Sequence, residues 1–319
     1  MKKIIGIGET VLDIIFRDDQ PKRAVPGGSA FNAMITLGRV FQHVAENVRP
    51  KVSMLTETGD DHIGQIITRF MQQNHVSTDL VTINPGTQSH LSLAFLDQQS
   101  NAQYQFYKDH AAAKLCADKT AISFTDQDLV LFGSFFAINP VLRPYTQALF
   151  TAAHEAGAIL YYDINFRKSH IKDIPATLQN IEENMSLSTI VRGSAEDFGY
   201  LYGTTDPQEV YTKHIRQHCP LFICTDGAAP THVFLPQSEG SNSLQFEVPA
   251  LDEVVSTIGA GDNFNAGFLY GLVQHHLSRL DLERGKCISV IEQIVNQAQC
   301  FSAHVCQRMD NYVDYMFEP

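Results

Sequence analysis

The sequence predicts an α/β fold: a central, mostly parallel sheet with helices on both faces and a small β-sheet lid. Three observations carry this. Short apolar runs alternate with helical patterns over most of the chain, as strands joined by helical crossovers do. Two segments break that rhythm, LDIIFRDDQPKRAVPGG (12–28) and HLSLAFLDQQSNAQYQFYKDH (90–110). Two glycine turns, PGGSAFNAM and STIGAGDNF, run straight into helices.

The elements follow in order. KIIGIG reads as a buried strand, with Asp13 expected near its end, and SAFNAMITLGRVFQHV as a helix in which Phe31, Met34, Ile35 and Leu37 recur at helical spacing. KVSMLTE is a strand. DHIGQIITRFMQQN is a helix with Ile63, Ile66, Ile67 and Phe70 apolar. In the second rhythm-breaking segment, SLAFLD and AQYQFY flank the polar turn QQSN, a β-hairpin pattern. The strands DLVLFGS, AILYYDIN, LSTIVRG and LFICTDG then alternate with helices such as PYTQALFTAAHEAG and SAEDFGYLYG. No repeat or long linker divides the chain. One domain over 1–319 is expected, its lid formed by inserted segments at about 12–26 and 88–110. In open α/β folds ligands bind beyond the carboxyl ends of the strands, where a lid would exclude water.

Composition narrows the function. The chain has 319 residues, 44% hydrophobic and 18% charged, as in a folded globular protein. Its 23 lysines and arginines against 35 acids give a net charge of −12, which argues against a general nucleic-acid or membrane-surface binder. An anionic ligand must therefore be held by a local site. The start, MKKIIGIGETVLDIIF, lacks the uninterrupted apolar run of a signal peptide, and no segment approaches the roughly 20 apolar residues of a membrane span. Six cysteines without a C-x-x-C pair are expected to be reduced thiols in a cytoplasmic protein. On a helix, Cys300 and His304 share a face while Cys306 turns away, so a metal centre is not expected there.

Two constellations carry chemistry. In GAGD, Gly259, Ala260 and Gly261 let an oxyanion approach the N–H groups of a helix start, and Asp262 can accept a proton from a hydroxyl held nearby. A tight turn with an Asp cap is the alternative. In PGGSAFNAM, Gly27 and Gly28 precede a helix whose first turn holds Asn32, an amide that both donates and accepts. With Asp13 these groups suit a polyhydroxylated ligand; a lid hinge and a capped helix is the alternative. No G-x-x-x-x-G-K-[ST] loop occurs, which excludes ordinary P-loop chemistry.

GGSAFNAMITLGRV and STIGAGDNFNAGFLYG, about 230 residues apart, resemble the two signatures of the ribokinase-like (PfkB) carbohydrate kinases. TETGDDHIGQIITRF is similar to a further segment of that family, and GETVLDII, LAFLD…YQFYKDHAAAKL and DINFR to segments of its fructokinase branch, so the resemblance spans nearly the whole chain. It implies the three-layer ribokinase-like fold, and transfer of the γ-phosphoryl of Mg·ATP to a hydroxymethyl group of a sugar, fructose or a similar keto-sugar. By position it implies Asp262 as catalytic base and Gly259, Ala260 and Gly261 as anion hole. Asp13, Gly27, Gly28, Asn32 and Arg167 would contact substrate, although Arg167 also reads as a surface ion-pair residue. VRGSAED and CTDGAAP resemble its nucleotide segments, implying ATP contacts from Ser194, Thr225, Gly227 and Asn296 and a Mg2+ role for Asp197. There Arg192, Ser194 and Asp197 stand where Lys, Asn or Ser, and Glu are usual, and Pro230 where glycine is common. Ser256 replaces the Asp that opens the second signature, and HVCQRMD lacks a Gly-Ala turn, which weakens the case for a monovalent cation.

Two other functions fit the residues. A nucleoside kinase of the same fold would need an aromatic slot, which Phe95, Phe106 and Tyr107 of the lid could supply. A catalytically retired sugar- or nucleotide-binding protein is suggested by Ser256, Asp197 and Pro230, against an intact GAGD turn. The expected partners are a sugar and ATP, with no nucleic acid and no membrane. A homodimer through the lid edge HLSLAF would follow the family's habit.

Overall fold

The computed structural model describes residues 2–96, 102–107, 122–236, 244–285 and 288–319. They group into two compact units. The first holds the described residues before position 122 together with Leu251–Phe268 and Gln297–Pro319; the second holds Ile122–Ala250 and Leu269–Asn296.

The first unit opens with β1 (Lys3–Ile7), the hairpin β2 (Val11–Arg17) and β3 (Gln20–Gly27), helix α1 (Ser29–Phe41), β4 (Lys51–Gly59), helix α2 (His62–Gln73) and β5 (Val81–Asn84). β4 pairs in parallel with both β1 and β5. Ile4–Ile7 and Val52–Thr56 are buried without a break, the pattern of parallel strands covered on both faces. α1 is buried from Ala30 to Phe41. α2 begins where the Asp61 carboxylate accepts the Gly64 N–H at 2.8 Å, a side-chain cap for an otherwise unpaired donor.

Both segments that break the α/β rhythm fall in a separate four-stranded sheet. With β6 (Leu91–Leu96) and β7 (Ala102–Tyr107), its order is β3-β2-β6-β7; the two hairpins are antiparallel and β2 pairs β6 in parallel. Asp18 and Asp19 turn the first hairpin with φ of 53° and 55°, the double positive φ of a type I′ turn. The QQSN turn and residues 108–110 of the second segment lie outside the described residues. Alternation sorts the faces: Val11, Asp13 and Ile15 are buried, while Leu12, Ile14 and Phe16 are half-exposed. Ile15, Val25 and Ala94 pack with Ile258 and Met309.

Asp13 corrects the expectation that it ends the first strand. β1 stops at Ile7, and Asp13 is the third residue of β2. The break comes at Gly8-Glu9-Thr10, after which the pattern changes from a continuous apolar run to period two.

The second unit runs β8 (Leu129–Gly133), α3 (Ser134–Ile138), α4 (Arg143–Glu155), β9 (Ile159–Asp163), α5 (Ile174–Leu187), β10 (Ile190–Ser194), α6 (Ala195–Tyr202), the short α7 (Pro207–Val210), β11 (Leu221–Asp226), β12 (Ala229–Phe234) and β13 (Leu244–Phe246). β8, β9, β10 and β11 pair in parallel, and β12 and β13 add antiparallel. Its core is aromatic: Phe132 stacks on Phe150 at 3.9 Å and on Tyr162 at 5.0 Å. Three helices follow: α8 (Ala260–Gln274), α9 (Arg279–Glu283) and α10 (Ile288–Cys306). The start of α8 and the end of α10 belong to the first unit.

Cys219, Cys224, Cys300 and Cys306 are free thiols, and Cys116 and Cys287 lie outside the described residues. Among the described residues no cluster of three His, Cys, Asp or Glu side chains could hold a metal ion. No described helix is long and apolar enough to cross a membrane.

Candidate active site

Within the first unit the fold brings the two glycine turns together. α1 starts at Gly28 without a capping side chain, and four residues on Asn32 donates its Nδ2 to Asp262 Oδ2 at 2.8 Å. Asp262 lies in the first turn of α8. Ahead of it, Gly259 takes φ 80°, and a β-carbon there would stand 2.7 Å from the Asn311 carbonyl oxygen. Only glycine combines that backbone with that approach. The Gly261 N–H, two residues on, has no acceptor among the described residues. A carboxylate therefore stands beside an open backbone donor at a helix start.

Asp13 completes the group. Its side chain is buried; a β-carbon at Gly27 would collide with its Oδ2, and Asn311 Nδ2 lies 3.4 Å from that oxygen. Burial pushes the Asp13 carboxyl up to about 7, and the charges of Asp262 and Glu9 add to the rise. Gly27→Ala is expected to displace this carboxylate and raise the KM for the acceptor at least about tenfold, with nucleotide affinity unchanged. Steady-state kinetics with each substrate varied in turn checks it.

The remaining sequence-predicted residues lie in the second unit. Ser194 caps α6 reciprocally with Asp197: the Ser194 N–H and hydroxyl donate to Asp197 Oδ2 at 2.7 and 2.8 Å, and Asp197 N–H returns to Ser194 Oγ at 3.2 Å. Burial raises the Asp197 carboxyl, and the Ser194 N–H opposes the rise. Gly227 makes the β11–β12 turn with φ 54° and is exposed. Pro230 sits in β12 opposite a register irregularity between Cys224 and Asp226, where a missing N–H costs no regular ladder bond. Asn296 is exposed on α10, and Arg167 is exposed just after β9. Among the described residues Arg167 makes no ion pair, so the ion-pair reading of it finds no support.

Arg192, which stands in the segment resembling the family's phosphate-binding one, is a buried tie between neighbouring strands. Its guanidinium donates to Asp163 Oδ1 at 3.1 Å and to Thr225 Oγ1 at 2.6 Å, joining β9, β10 and β11. Burial alone would lower its pKa, but Asp163, Tyr161 and Asp197 together outweigh this and raise it.

Three residues that sequence reasoning passed over support the first unit's group. Asn263, Thr36 and Asn311 are all buried, and Asn263 is hydrogen-bonded to both of the others. The available signal was two polar residues, Asn263 and Thr36, on helix faces that are otherwise apolar.

The model of the pfkB family of carbohydrate kinases matches residues 1–309. The chain belongs to the PfkB carbohydrate kinase family. A PfkB kinase is a sugar phosphotransferase, and the ribokinase-type α/β fold with its separate small sheet is as expected. A fructokinase of Rhizobium leguminosarum bv. trifolii is 28% identical over 284 residues, covering 86% of this chain and 81% of that one. Two solved structures share the PfkB fold at 20% identity and a TM-score of 0.78. A fructokinase with bound ATP from Xylella fastidiosa covers 97% of this chain and 94% of its own. An aminoimidazole riboside kinase from Salmonella enterica, solved with its riboside and an ATP analogue, covers 99% and 97%.

Proposed function

We propose that this kinase transfers the γ-phosphoryl group of ATP to a hydroxymethyl group of fructose or a similar keto-sugar. The observation that carries the reading is the Asp262 carboxylate, held by Asn32 at 2.8 Å in the first turn of α8, behind the Gly259 turn. Asn32 donates to Oδ2 and orients the carboxylate that takes the sugar proton. As that oxygen attacks the phosphorus, its proton passes to Asp262, and ADP leaves with the electrons of the broken bond. The Ala260 N–H is held by the Thr257 carbonyl at 3.2 Å, so the Gly261 N–H is the donor of this turn assigned to the charge that develops on the transferring group. Asp13, Gly28 and Asn32 orient the acceptor. Arg167 is assigned to substrate contact, and Ser194, Thr225, Gly227 and Asn296 to the nucleotide. The small sheet, which carries Asp13, would act as the lid that excludes water.

Mg2+, when bound, would neutralise charge on the phosphates. Asp197 fits that task only through Oδ1 or a bound water, because Oδ2 is committed to Ser194. The residues do not fit a monovalent cation. Ser256 Oγ accepts the Ile258 N–H at 3.2 Å, and the Cys306 carbonyl already takes the N–H groups of Val255 and Ser256. No step is derived through one.

A nucleoside acceptor is less well supported. Phe106 pairs with Ser92, and Ser92 with Asp13, so these three share one face of the small sheet. Phe95 and Tyr107 stand on the opposite face, and Phe95 stacks on Phe16 at 4.9 Å. Of the three proposed slot aromatics only Phe106 is on the Asp13 side. Sugars, sugar acids and nucleosides assayed with ATP test this. A keto-sugar should give the highest kcat/KM, and a preferred nucleoside would overturn the assignment.

The raised pKa of Asp13 predicts a pH dependence. Its carboxylate, which accepts sugar hydroxyl bonds, is present above about pH 7 and is lost as pH falls through that value. The charges facing it are Asp262 and Glu9. Acceptor KM should rise about tenfold between pH 8 and pH 6, following the ionised fraction. Asp13→Asn should flatten that profile; an unchanged profile would remove Asp13 as its origin.

A further inference from the structure

We infer that Asn263 is a positioning residue: one side-chain amide that fixes the spacing of the Gly259 turn, α1 and the Asn311 segment. The kinetic part of this inference rests on the kinase reading above.

The residue follows Asp262 directly, and one step along a helix turns the side chain by about 100°. Asp262 therefore stays at the acceptor while Asn263 points inward, fully buried. Its Nδ2 donates to the carbonyl oxygens of Gly259 at 2.8 Å and Asn311 at 2.7 Å. Its Oδ1 accepts from the Thr36 hydroxyl at 2.5 Å. The Thr36 oxygen accepts in turn from the Val313 N–H at 3.3 Å. Two carbonyls need two donors and a hydroxyl needs an acceptor, and among short side chains only a carboxamide offers that set.

Each segment so tied carries part of the site. The Gly259 turn leads into Asp262. Thr36 lies one helical turn after Asn32, which holds Asp262 Oδ2. Asn311 places its own amide 3.4 Å from Asp13 Oδ2. Further along the same tail, Tyr312 donates its hydroxyl to the Pro26 carbonyl at 2.9 Å, beside Gly27. Arg39 of α1 donates to the Val313 carbonyl at 2.7 Å. The tail thus braces the floor of the acceptor site, and Asn263 is where the brace meets the turn before Asp262. An apolar residue there would strand the buried Asn311 carbonyl, whereas the Gly259 carbonyl keeps the backbone N–H of position 263 at 2.9 Å; a carboxylate would repel both.

Asn263→Ala and Asn263→Asp in the full chain test this with two readouts. The first is amide hydrogen exchange of the unliganded protein. Peptides covering 256–264 and 309–316 should exchange at least about tenfold faster, while β9 and β10 stay at the wild-type rate. The second is kinetics with ATP and the best sugar. Here kcat should fall roughly 10²-fold, with sugar KM changed by less than about threefold and nucleotide affinity unchanged. A folded variant that keeps wild-type exchange in both peptides and wild-type kcat would overturn the inference. So would a kcat per folded molecule that is unchanged while only thermal stability drops. If neither variant folds, Thr36→Val removes one arm of the brace and should show the same kcat-selective loss; wild-type kcat there would overturn it. If the wild type phosphorylates no sugar, the kinase reading fails, and the exchange readout alone still decides the brace.

Discussion

Replacing Asp262 with Asn should lower kcat by roughly 10²–10⁴-fold, the span that a positioned general base supplies, and leave sugar and nucleotide affinity near wild type. The amide is isosteric and can still offer an oxygen to Asn32 Nδ2, so the bond that orients position 262 survives. What is lost is the ability to take the sugar proton. Steady-state kinetics gives the rate, and calorimetric titration with sugar and with ATP gives the affinities. Turnover near wild type in this variant would remove Asp262 as the base.

The second large effect is on stability. Arg192→Met should destabilise the fold by about 3–5 kcal/mol, because it takes the guanidinium partner from a buried carboxylate. Asp163 is 2% exposed and Arg192 7% exposed, and the 3.1 Å ion pair spans the neighbouring strands β9 and β10. The bond to Thr225 on β11 goes with it. Urea denaturation followed by circular dichroism measures the loss. The double replacement Asp163→Asn with Arg192→Met should recover part of it, since the Asp163 charge is then removed together with the guanidinium. A single variant as stable as wild type would show that the tie carries no weight.

What could be read from the sequence follows from the range of the interactions. The strands and helices around KIIGIG, DHIGQIITRF and AILYYDIN are local patterns of period and capping, and they form where expected. The two breaks in rhythm were legible for the same reason: alternation such as Val11, Asp13, Ile15 belongs to a sheet covered on one face. Asp13 was misplaced by one strand because the linking Gly8-Glu9-Thr10 looks like a continuation of the first run. The GAGD and PGGSAFN turns were legible as helix starts, but only folding shows Asn32 on Asp262 across 230 positions. Arg192 is a similar case. Nothing local in VRGSAED reveals its partners Asp163 and Thr225, which are 29 and 33 residues away and meet it only once three strands align. Asn263 was hidden next to Asp262, since nothing local reveals that it faces Gly259, Asn311 and Thr36.

The central claim is that this PfkB chain moves the γ-phosphoryl of ATP to a sugar hydroxymethyl group, with Asp262 as base. Incubation of the full chain with γ-labelled ATP, Mg2+ and fructose, in parallel with the Asp262→Asn variant, tests it most directly. The wild type should put label on a sugar phosphate ester, and the variant should do so at about 1% or less of that rate. No labelled ester from fructose or any other sugar, with sugar and ATP both bound in calorimetry, would contradict it and leave a binding protein in the fold of a kinase.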